Sequence, residues 1–316
     1  VGRNMDDILE QIEKSKSNKH ITKRAVSEEI EAILFDMHNV LDHGFVRVID
    51  YMGNDSAIVQ AARVSYGEGT KQISNDKGLI NYLMRNRHTS PFEMCEIKLH
   101  VKLPIFVARQ WIRHRTANVN EYSARYSILK GEFYIPTNET ICEQSSDNKQ
   151  GRGDQVNESF ASRVIEMLRN DAMTAYHNYQ NMLNIDDDNE IIDNNRPCVA
   201  REIARINLPL STYTEFYWKI DLHNLLHFLK LRTDPHAQYE IREYAKVILD
   251  IVKKWVPYTY EAFMNYQINS INLRKECTDI IKKLLHNEEV NFEDSGLSKG
   301  EWNSLMDQFE IINKKI

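Results

Sequence analysis

The chain contains segments with strand periodicity set between longer segments with helical periodicity. From residue 95 to 103, apolar residues alternate with charged residues and one histidine, which predicts a half-buried strand. Residues 46–52 and 212–220 are rich in β-branched and aromatic residues, which predicts two further strands. Because strands and helices are interleaved without strict alternation, the pattern favours an α+β domain in which helices flank a mixed or antiparallel sheet.

Apolar residues at helical spacing account for most of the remaining chain. Ser27 is a typical N-cap and Gly44 a typical stop for a first amphipathic helix. Pro104 can occupy the first position of another helix, which is apolar on more than one side and is therefore expected to be buried. The predicted helices cover residues 28–41, 54–64, 76–87, 104–115, 156–183, 197–208, 222–232 and 237–255.

The same patterns divide the chain into three parts. Residues 1–44 form a polar tail and the first helix, residues 45–268 form a central domain, and residues 269–316 form a helical extension. In this extension, Ser298 opens a capping-box pattern. Residues 137–155 lack periodicity and contain Gly, Ser, Asn and Asp, so they are predicted to be a surface loop inserted in the central domain.

Composition and charge restrict the functional classes. The formal net charge of the 316 residues is −6, so a general affinity for nucleic acid is not expected. No apolar run approaches membrane-spanning length and the N-terminus lacks a signal-peptide pattern, so we expect a cytoplasmic protein without a membrane partner. The cysteines lack CxxC spacing and are expected to be reduced thiols, forming neither a metal site nor a disulfide framework; they are Cys95, Cys142, Cys198 and Cys277.

A dense basic stretch, RQWIRHRTANVNEYSARYS, runs from Arg109 to Ser127 in this acidic chain. Each guanidinium group presents a planar fork of donors that matches two phosphate oxygens, and each such bond is worth roughly 1.5–3 kcal/mol. Basic residues at a helix end are often only a solvated face. Here an apolar helix precedes the arginines and a polar loop follows them, so a pocket wall that binds an anion is favoured.

The same stretch carries a resemblance to a known family. Arg113, His114 and Arg115, followed after seven residues by Ser123, match the RHR-x7-S motif of the flavin-dependent thymidylate synthases. The chain is similar to that family in an ordered series of blocks between about residues 45 and 265. These blocks are MGND at 52–55, AARVSY at 61–66, RHTSPFE at 87–93, LPIFVARQW at 103–111, EFYIP at 132–136, REIARINLPLSTYTEFYW at 201–218 and LHFLKLRTDPHAQYE at 226–240.

The resemblance implies an activity and a set of reactants. Members of the family methylate dUMP to dTMP with methylenetetrahydrofolate as one-carbon donor and NADPH as reductant, and they hold FAD between the subunits of a homotetramer with shared active sites. It also implies that the Arg232 position is catalytic, where arginine touches the uracil ring and favours ionisation at N3. The positions matched to dUMP binding are Gln110, Arg113, Glu121, Ser123, Ala124, Arg125, Arg205, Leu231 and Arg232.

The resemblance also implies which positions meet the flavin and the folate. The flavin positions are Ser65, Ser90, Glu93, Arg113, His114, Arg115 and Glu121, and His88 matches a histidine on the folate side of the pocket. His88 could instead do no more than cap a helix end. Ser123 is assigned to binding rather than nucleophilic attack, because no histidine stands nearby in the sequence as its base.

One block departs from the family pattern. After the aromatic strand the family often has Asn-x-Arg followed by Asn or His, whereas this chain has Asp221, His223 and His227. A histidine can replace those donors, but Asp221 would bring negative charge to the flavin unless it caps the following helix.

Two alternatives from other classes stay open at this point. A different nucleotide enzyme could use Cys95 or Cys198 as its nucleophile, in which case alkylation would abolish activity. A binding module could use the arginines to recognise nucleotides or RNA ends, in which case its affinity would fall steeply with salt.

Overall fold

The structure is a computed structural model that describes residues 5–64, 76–146 and 151–311, with side chains described from residue 8 onward. Ser65, which the family resemblance assigns to the flavin, lies outside the described residues. The strands are β1 (His38–Val40), β2 (Gly44–Met52), β3 (Glu96–Pro104), β4 (Asn118–Glu121), β5 (Cys142–Gln144), β6 (Arg152–Gln155) and β7 (Tyr213–Asp221).

Five of these strands form one antiparallel sheet in the order β1-β2-β3-β7-β4, which confirms the predicted α+β class. The long central pair, β3 and β7, runs in register from Glu96 opposite Asp221 to Pro104 opposite Tyr213. The short strand β4 occupies one edge, and all of its residues are exposed. The strands predicted at 46–52, 95–103 and 212–220 are therefore confirmed.

Helices flank this sheet. Most of the predicted helices are confirmed, and none in the described part of the chain is long and apolar enough to cross a membrane. The helices are α1 (Met5–Ser17), α2 (Glu28–Glu31), α3 (Asp55–Val64), α4 (Asp76–Arg85), α5 (Ser90–Glu93), α6 (Ile105–Trp111), α7 (Glu158–Leu183), α8 (Arg201–Ala204), α9 (Leu222–Arg232), α10 (Tyr239–Trp255), α11 (Pro257–Phe263), α12 (Lys275–Leu285) and α13 (Lys299–Gln308).

An aromatic cluster at the centre of the core fixes the end of α6. The Trp111 ring lies 5.2 Å from that of Trp218 on β7, 4.8 Å from that of Phe228 on α9 and 5.9 Å from that of Tyr244 on α10. All four side chains are fully buried. Rings of this size supply much of the energy of a core and pack with defined geometry, so the residues that follow Trp111 start from a rigid position.

The predicted helix over residues 28–41 is wrong. Only the turn Glu28–Glu31 is helical, and Phe35 and Leu41 then adopt positive φ angles of 67° and 59°. The chain instead forms a hairpin in which β1 pairs with β2, and Phe35 N donates to Val48 O at 2.9 Å. Pairing at the sheet edge buries Val40 without a helix, so tertiary contacts outweigh the helical spacing of the apolar residues.

Burial on β3 also differs from its prediction. The first half alternates as expected, but His100 and Lys102 are only 4% and 3% exposed. Strand β3 lies between β2 and β7, and side chains of these neighbours cover His100 on the polar face: the Tyr217 ring stacks on it at 4.8 Å, and Arg47 Nε donates to its Nδ1 at 2.9 Å. Lys102 is balanced there by an ion pair of 2.7 Å with Glu132.

Three further features differ from their predictions. The 137–155 region is not an irregular loop, because β5 and β6 form a small hairpin. Arg152 holds this hairpin against the core by donating to Glu240 Oε1 at 2.6 Å. The helix predicted over 197–208 is reduced to α8 and one 3-10 turn, Arg205–Asn207, and Pro104 stands at the N-cap of α6 rather than at its first helical position.

The described residues belong to two compact units, residues 1–267 and residues 268–316. In the second unit α12 and α13 pack around Trp302 and Leu305, and Ser298 forms the predicted capping box with Glu301. The division of the chain into three parts, with boundaries after residues 44 and 268, stays a prediction.

Candidate functional site

The RHR residues lie in a turn rather than on a helix. Helix α6 ends at Trp111, where His114 N donates to Trp111 O at 3.0 Å, so Arg113 and Arg115 follow the helix instead of sharing its face with Arg109. The expected helix to residue 115 is therefore too long. The reason is that Trp111 is locked in the core while the chain must turn outward to reach the edge strand β4.

This turn and helix α9 line a cavity of about 540 Å³, a volume within the range of small-molecule sites. We refer to it as the arginine cavity. It brings together six of the predicted site residues with two others, and its walls are Arg113, His114, Arg115, Thr116, Asn224, His227, Leu231 and Arg232.

Arg232, on the wall of the arginine cavity, and its neighbour Gln110, which does not line the cavity, each have a polar atom without a partner in the described part of the chain. Arg232 Nη2 donates to the Gln110 backbone oxygen at 3.4 Å, which places two residues predicted to bind dUMP next to each other. Arg232 Nε and Gln110 Oε1 are both buried and lack a hydrogen-bond partner among the described residues. A buried donor and a buried acceptor without partners are unfavourable in the free protein, and a ligand that pairs with both would remove that cost.

Electrostatics in the arginine cavity favour a neutral histidine in the free protein. Burial, followed by the nearby His227 and Arg232, lowers the pKa of His114. The two histidine rings lie 5.6 Å apart, and His114 Nε2 is 3.1 Å from Thr116 Oγ1. Burial alone lowers the pKa of Arg232, but a guanidinium group stays protonated in proteins. The cavity therefore offers several donors to an anionic ligand.

A second cavity, of about 320 Å³, lies beside the loop after β4, and we refer to it as the loop cavity. It contains four of the residues predicted to bind dUMP, which come from β4, the loop and the turn after α8. Its walls are Ile105, Glu121, Tyr122, Ser123, Ala124, Leu129, Arg205 and Thr214. No residue lines both this cavity and the arginine cavity.

The loop after β4 is held by its own backbone and by α8. Tyr126 N and Ser127 N both donate to Ser123 O at 3.0 Å, which forms a tight turn. Arg201 anchors the turn by donating from Nη1 to Tyr126 O at 2.7 Å. Arg125 is exposed and lies 3.8 Å from Glu202, so its guanidinium group stands outside the walls of the loop cavity. The turn thus presents Ser123 and Ala124 inward with a fixed backbone.

The remaining predicted residues line neither cavity. Asp221 is the N-cap of α9, and its carboxylate accepts from Asn224 N at 2.9 Å, so the helix-capping alternative is the one observed. His223 lies in the first turn of α9, and Ser90 and Glu93 bound the short helix α5, which contacts α9. His88 follows α4, donates its backbone N–H to Leu83 O at 2.9 Å and packs against Tyr82.

The cysteines occupy unsuitable positions for nucleophilic chemistry. All four are free thiols, as expected from their spacing. Cys95 is fully buried, and burial together with Asp55 raises the pKa of its thiol to about 12, so the thiolate form is strongly disfavoured. Cys198 is exposed, and neither cysteine lines the two cavities. These positions count against a cysteine-dependent enzyme.

Several residues of the two cavities were not found by sequence reasoning. Thr214 lines the loop cavity, and Thr116 and Asn224 line the arginine cavity. Arg201 also holds the loop by its hydrogen bond to Tyr126, which is 75 residues away in the chain. The alternation of β7 could have placed Thr214 and Phe216 on one face, but only the pairing of β7 with β4 shows that this face meets Glu121.

The known proteins that this chain resembles in sequence belong to one family. The chain matches the family described as thymidylate synthase complementing protein over residues 47–258. It is 60% identical to the flavin-dependent thymidylate synthase of Rickettsia bellii (strain RML369-C) over 285 residues, which are 90% of this chain and 97% of that protein. It is also 60% identical to the protein of that name from Wolbachia pipientis wMel over 294 residues, 93% of this chain and 98% of that protein.

A solved structure of a nucleotide methylase also resembles this chain. The UMP/dUMP methylase PolB from Streptomyces cacaoi, bound with 5-Br UMP, superposes with a TM-score of 0.62 at 34% sequence identity. The alignment covers 73% of this chain and 98% of that chain. The similarity thus extends to the fold, which has an antiparallel sheet flanked by helices.

Proposed function

This chain belongs to the family of flavin-dependent thymidylate synthases, and we propose that it methylates dUMP to dTMP with FAD, NADPH and methylenetetrahydrofolate. Its flavin dependence and its action on dUMP follow from the family and from its likeness to a UMP/dUMP methylase. The choice of FAD as flavin, of NADPH as reductant and of the folate as one-carbon donor completes the proposal. Its reactants are polar metabolites of the cytoplasm, which is the location we propose.

One observation carries the proposal further than the family alone. The residues that the family motif assigns to dUMP fall into two groups, one in the loop cavity and one in the arginine cavity. Each group is incomplete, because Ser123 and Arg205 lie in one cavity and Arg113 and Arg232 lie in the other. A site that needs both groups is complete when the loop cavity of one copy faces the arginine cavity of another, which supports a homo-oligomer with shared sites. We propose that this oligomer is a tetramer.

The arginine cavity fits the family's flavin by the chemistry of its donors. Arg113, Arg115 and the two histidines His114 and His227 offer N–H groups to a diphosphate and to ring carbonyls. Asp221, which could have repelled an anion, directs its carboxylate to Asn224 instead. When bound, the flavin supplies the hydride chemistry that amino-acid side chains lack.

The side chains of this chain would bind and polarise the nucleotide. We assign Ser123 and Arg205 to the phosphate and sugar, because a hydroxyl and a guanidinium group are strong phosphate donors. We assign Arg232 and Gln110 to the uracil ring, where the free Nε donor and Oε1 acceptor can pair with a ring carbonyl and a ring N–H. Arg232 would stabilise negative charge as it develops on the ring, which raises electron density at C5.

The remaining assignments complete the proposed site. Ala124 and Leu231 would make van der Waals contact with the nucleotide. Arg125 would reach the phosphate if its guanidinium group moved away from Glu202. Glu121 would meet both nucleotide and flavin. Ser90, Glu93 and His223 would approach the flavin from the α5 and α9 side, and His88 the folate.

The visible absorption spectrum of the purified protein tests the proposal, followed by anaerobic titration with NADPH in the presence and absence of dUMP. We expect a yellow protein that NADPH bleaches at a rate altered by dUMP. The Arg205→Ala variant is the control, because it should keep the flavin spectrum and lose the response to dUMP. A colourless protein that FAD does not reconstitute would contradict the flavin assignment.

A further inference from the structure

Glu121 is held by a residue on the neighbouring strand. The hydroxyl of Thr214 donates to Glu121 Oε1 at 2.8 Å. In the β4–β7 register Glu121 stands opposite Phe216, so Thr214 is its diagonal neighbour two positions away on the same face. Diagonal pairs of this kind are within reach of long side chains such as glutamate.

The two partners differ strongly in how firmly they are fixed. Thr214 is only 4% exposed and sits on the central strand β7, where its backbone pairs with Leu103. Its β-branched side chain has few accessible rotamers. Glu121 is the exposed last residue of a four-residue edge strand, so without this contact its carboxylate would sample several positions in water.

The geometry places this hydrogen bond at the loop cavity, because Thr214 and Glu121 both line it. A carboxylate can accept about four hydrogen bonds, so the bond from Thr214 occupies a small part of its capacity. The contact therefore fixes one oxygen of Glu121 and leaves acceptor sites for a hydroxyl or N–H group of a bound molecule. A ligand that donates to Glu121 then meets an acceptor already in position.

We infer that Thr214 is a positioning residue of the nucleotide site, acting through Glu121. Its hydroxyl orients the Glu121 carboxylate toward a hydroxyl or N–H donor of the deoxynucleotide. The inference rests on the proposed function, because that function makes Glu121 a contact of the nucleotide. It predicts that removal of the Thr214 hydroxyl weakens nucleotide binding much more than it slows the chemical step.

The test compares Thr214→Val, which keeps the shape and removes the hydroxyl, with Thr214→Ser, which keeps the hydroxyl. In the full-length protein reconstituted with FAD, Thr214→Val should raise the KM for dUMP about tenfold, with kcat changed less than about twofold. Thr214→Ser should restore the KM to within about threefold of the wild type. Direct titration of each protein with dUMP gives a second measure of affinity that does not depend on turnover.

Thr212→Val is a matched control. Thr212 is a fully buried threonine just before β7 whose hydroxyl donates to Pro209 O at 2.7 Å, and it lines neither cavity. Its substitution removes a buried hydroxyl without touching Glu121. It should lower the thermal midpoint while leaving the KM for dUMP within about twofold of the wild type, which separates lost stability from lost positioning.

A double-mutant cycle with Glu121→Ala decides whether Thr214 acts through Glu121. In the Glu121→Ala background, Thr214→Val should produce no further rise in KM. An equal rise in both backgrounds would overturn the inference, as would a Thr214→Val protein with the wild-type KM and dUMP affinity. Failure of the wild-type protein to bind dUMP would instead overturn the proposed function. If Thr214→Val does not fold, the same comparison is made with Thr214→Ala.

Discussion

Asp221 and Asn224 are joined by two hydrogen bonds at the start of α9. Asp221 Oδ1 accepts from the backbone N–H of Asn224 at 2.9 Å, and its Oδ2 accepts from the Asn224 side-chain amide at 2.7 Å. Both carboxylate oxygens thus face the helix. The departure from the family pattern at residue 221 places a capping residue at the helix that carries His227 and Arg232.

Replacement of Asp221 tests this pairing. Asp221→Ala should lower the free energy of unfolding by about 1 kcal/mol, because the N-cap acceptor is lost, whereas Asp221→Asn should cost only a few tenths since asparagine also caps helices. Urea unfolding of the three proteins measures both changes. A wild-type midpoint for Asp221→Ala would contradict the capping role.

Arg232 gives the most direct test of the catalytic assignment. Arg232→Ala should reduce kcat about 100-fold, the usual cost of removing one preorganised donor from a developing negative charge. Lys230→Ala is the control, because Lys230 is also a basic residue in the last turn of α9 but lines neither cavity. Steady-state turnover with unchanged circular dichroism would measure the effect. Wild-type turnover in a folded Arg232→Ala protein would refute the assignment.

The proposed sharing of sites between copies predicts complementation. Arg205→Ala removes a residue of the loop cavity and Arg232→Ala a residue of the arginine cavity, so each variant alone should be nearly inactive. Co-expression of the two, with different affinity tags to isolate mixed oligomers, should restore about one quarter of wild-type turnover, because random pairing leaves about that share of sites intact.

The alternative outcome of the complementation experiment is equally informative. If both halves of each site came from one chain, every site in the mixed oligomer would carry one defect. Activity would then stay at the level of the single variants, which would exclude shared sites. A mixture of the two separately purified oligomers, without exchange of subunits, serves as the control.

The lowered pKa of Glu215 predicts how the stability of the folded protein changes at acid pH. Burial opposes ionisation of Glu215, but the hydrogen bond and charge of His100, with Lys102 and Lys130, outweigh it and hold the pKa of Glu215 below its usual value. His100 Nε2 lies 3.0 Å from Glu215 Oε2. Because the folded-state pKa is depressed, this stabilisation is present above about pH 4.3 and is lost as the pH falls through the folded-state pKa.

Glu215→Gln should therefore unfold at a lower urea concentration than the wild type at neutral pH. The difference between the two proteins should shrink as the pH falls below about 4.3. Urea midpoints at a series of pH values measure it. A difference that stays constant or grows toward acid pH would show that Glu215 contributes through packing rather than through its charge.

Local patterns were sufficient for much of the fold. Strand β7 and helices α7, α9 and α10 have strong periodicity or clear caps, and they form almost as predicted because local preference and tertiary packing agree. The segment 28–41 shows the opposite case. Its helical spacing is genuine, but pairing with β2 at the sheet edge satisfies both its backbone and its apolar side chains.

Part of the candidate site could also be predicted from local sequence patterns. The RHR motif and Ser123 predicted an anion-binding stretch and indicated the family, because residue type and spacing along the chain are sufficient for that. The partners that hold these residues could not be read from the chain. Thr214 lies 93 residues from Glu121, and Arg201 lies 75 residues from Tyr126, so only the folded sheet brings them together.

Residue types and their local spacing were enough to establish the fold class, the family and the side chains available for the reaction. Which of those side chains share a cavity, the orientation of Asp221 toward its helix, and the separation of the residues predicted to bind dUMP into two groups became clear only from the folded chain. The physical reason is that residue chemistry and short-range periodicity are local properties, whereas strand register, burial and the end of α6 at Trp111 depend on contacts between distant parts of the chain.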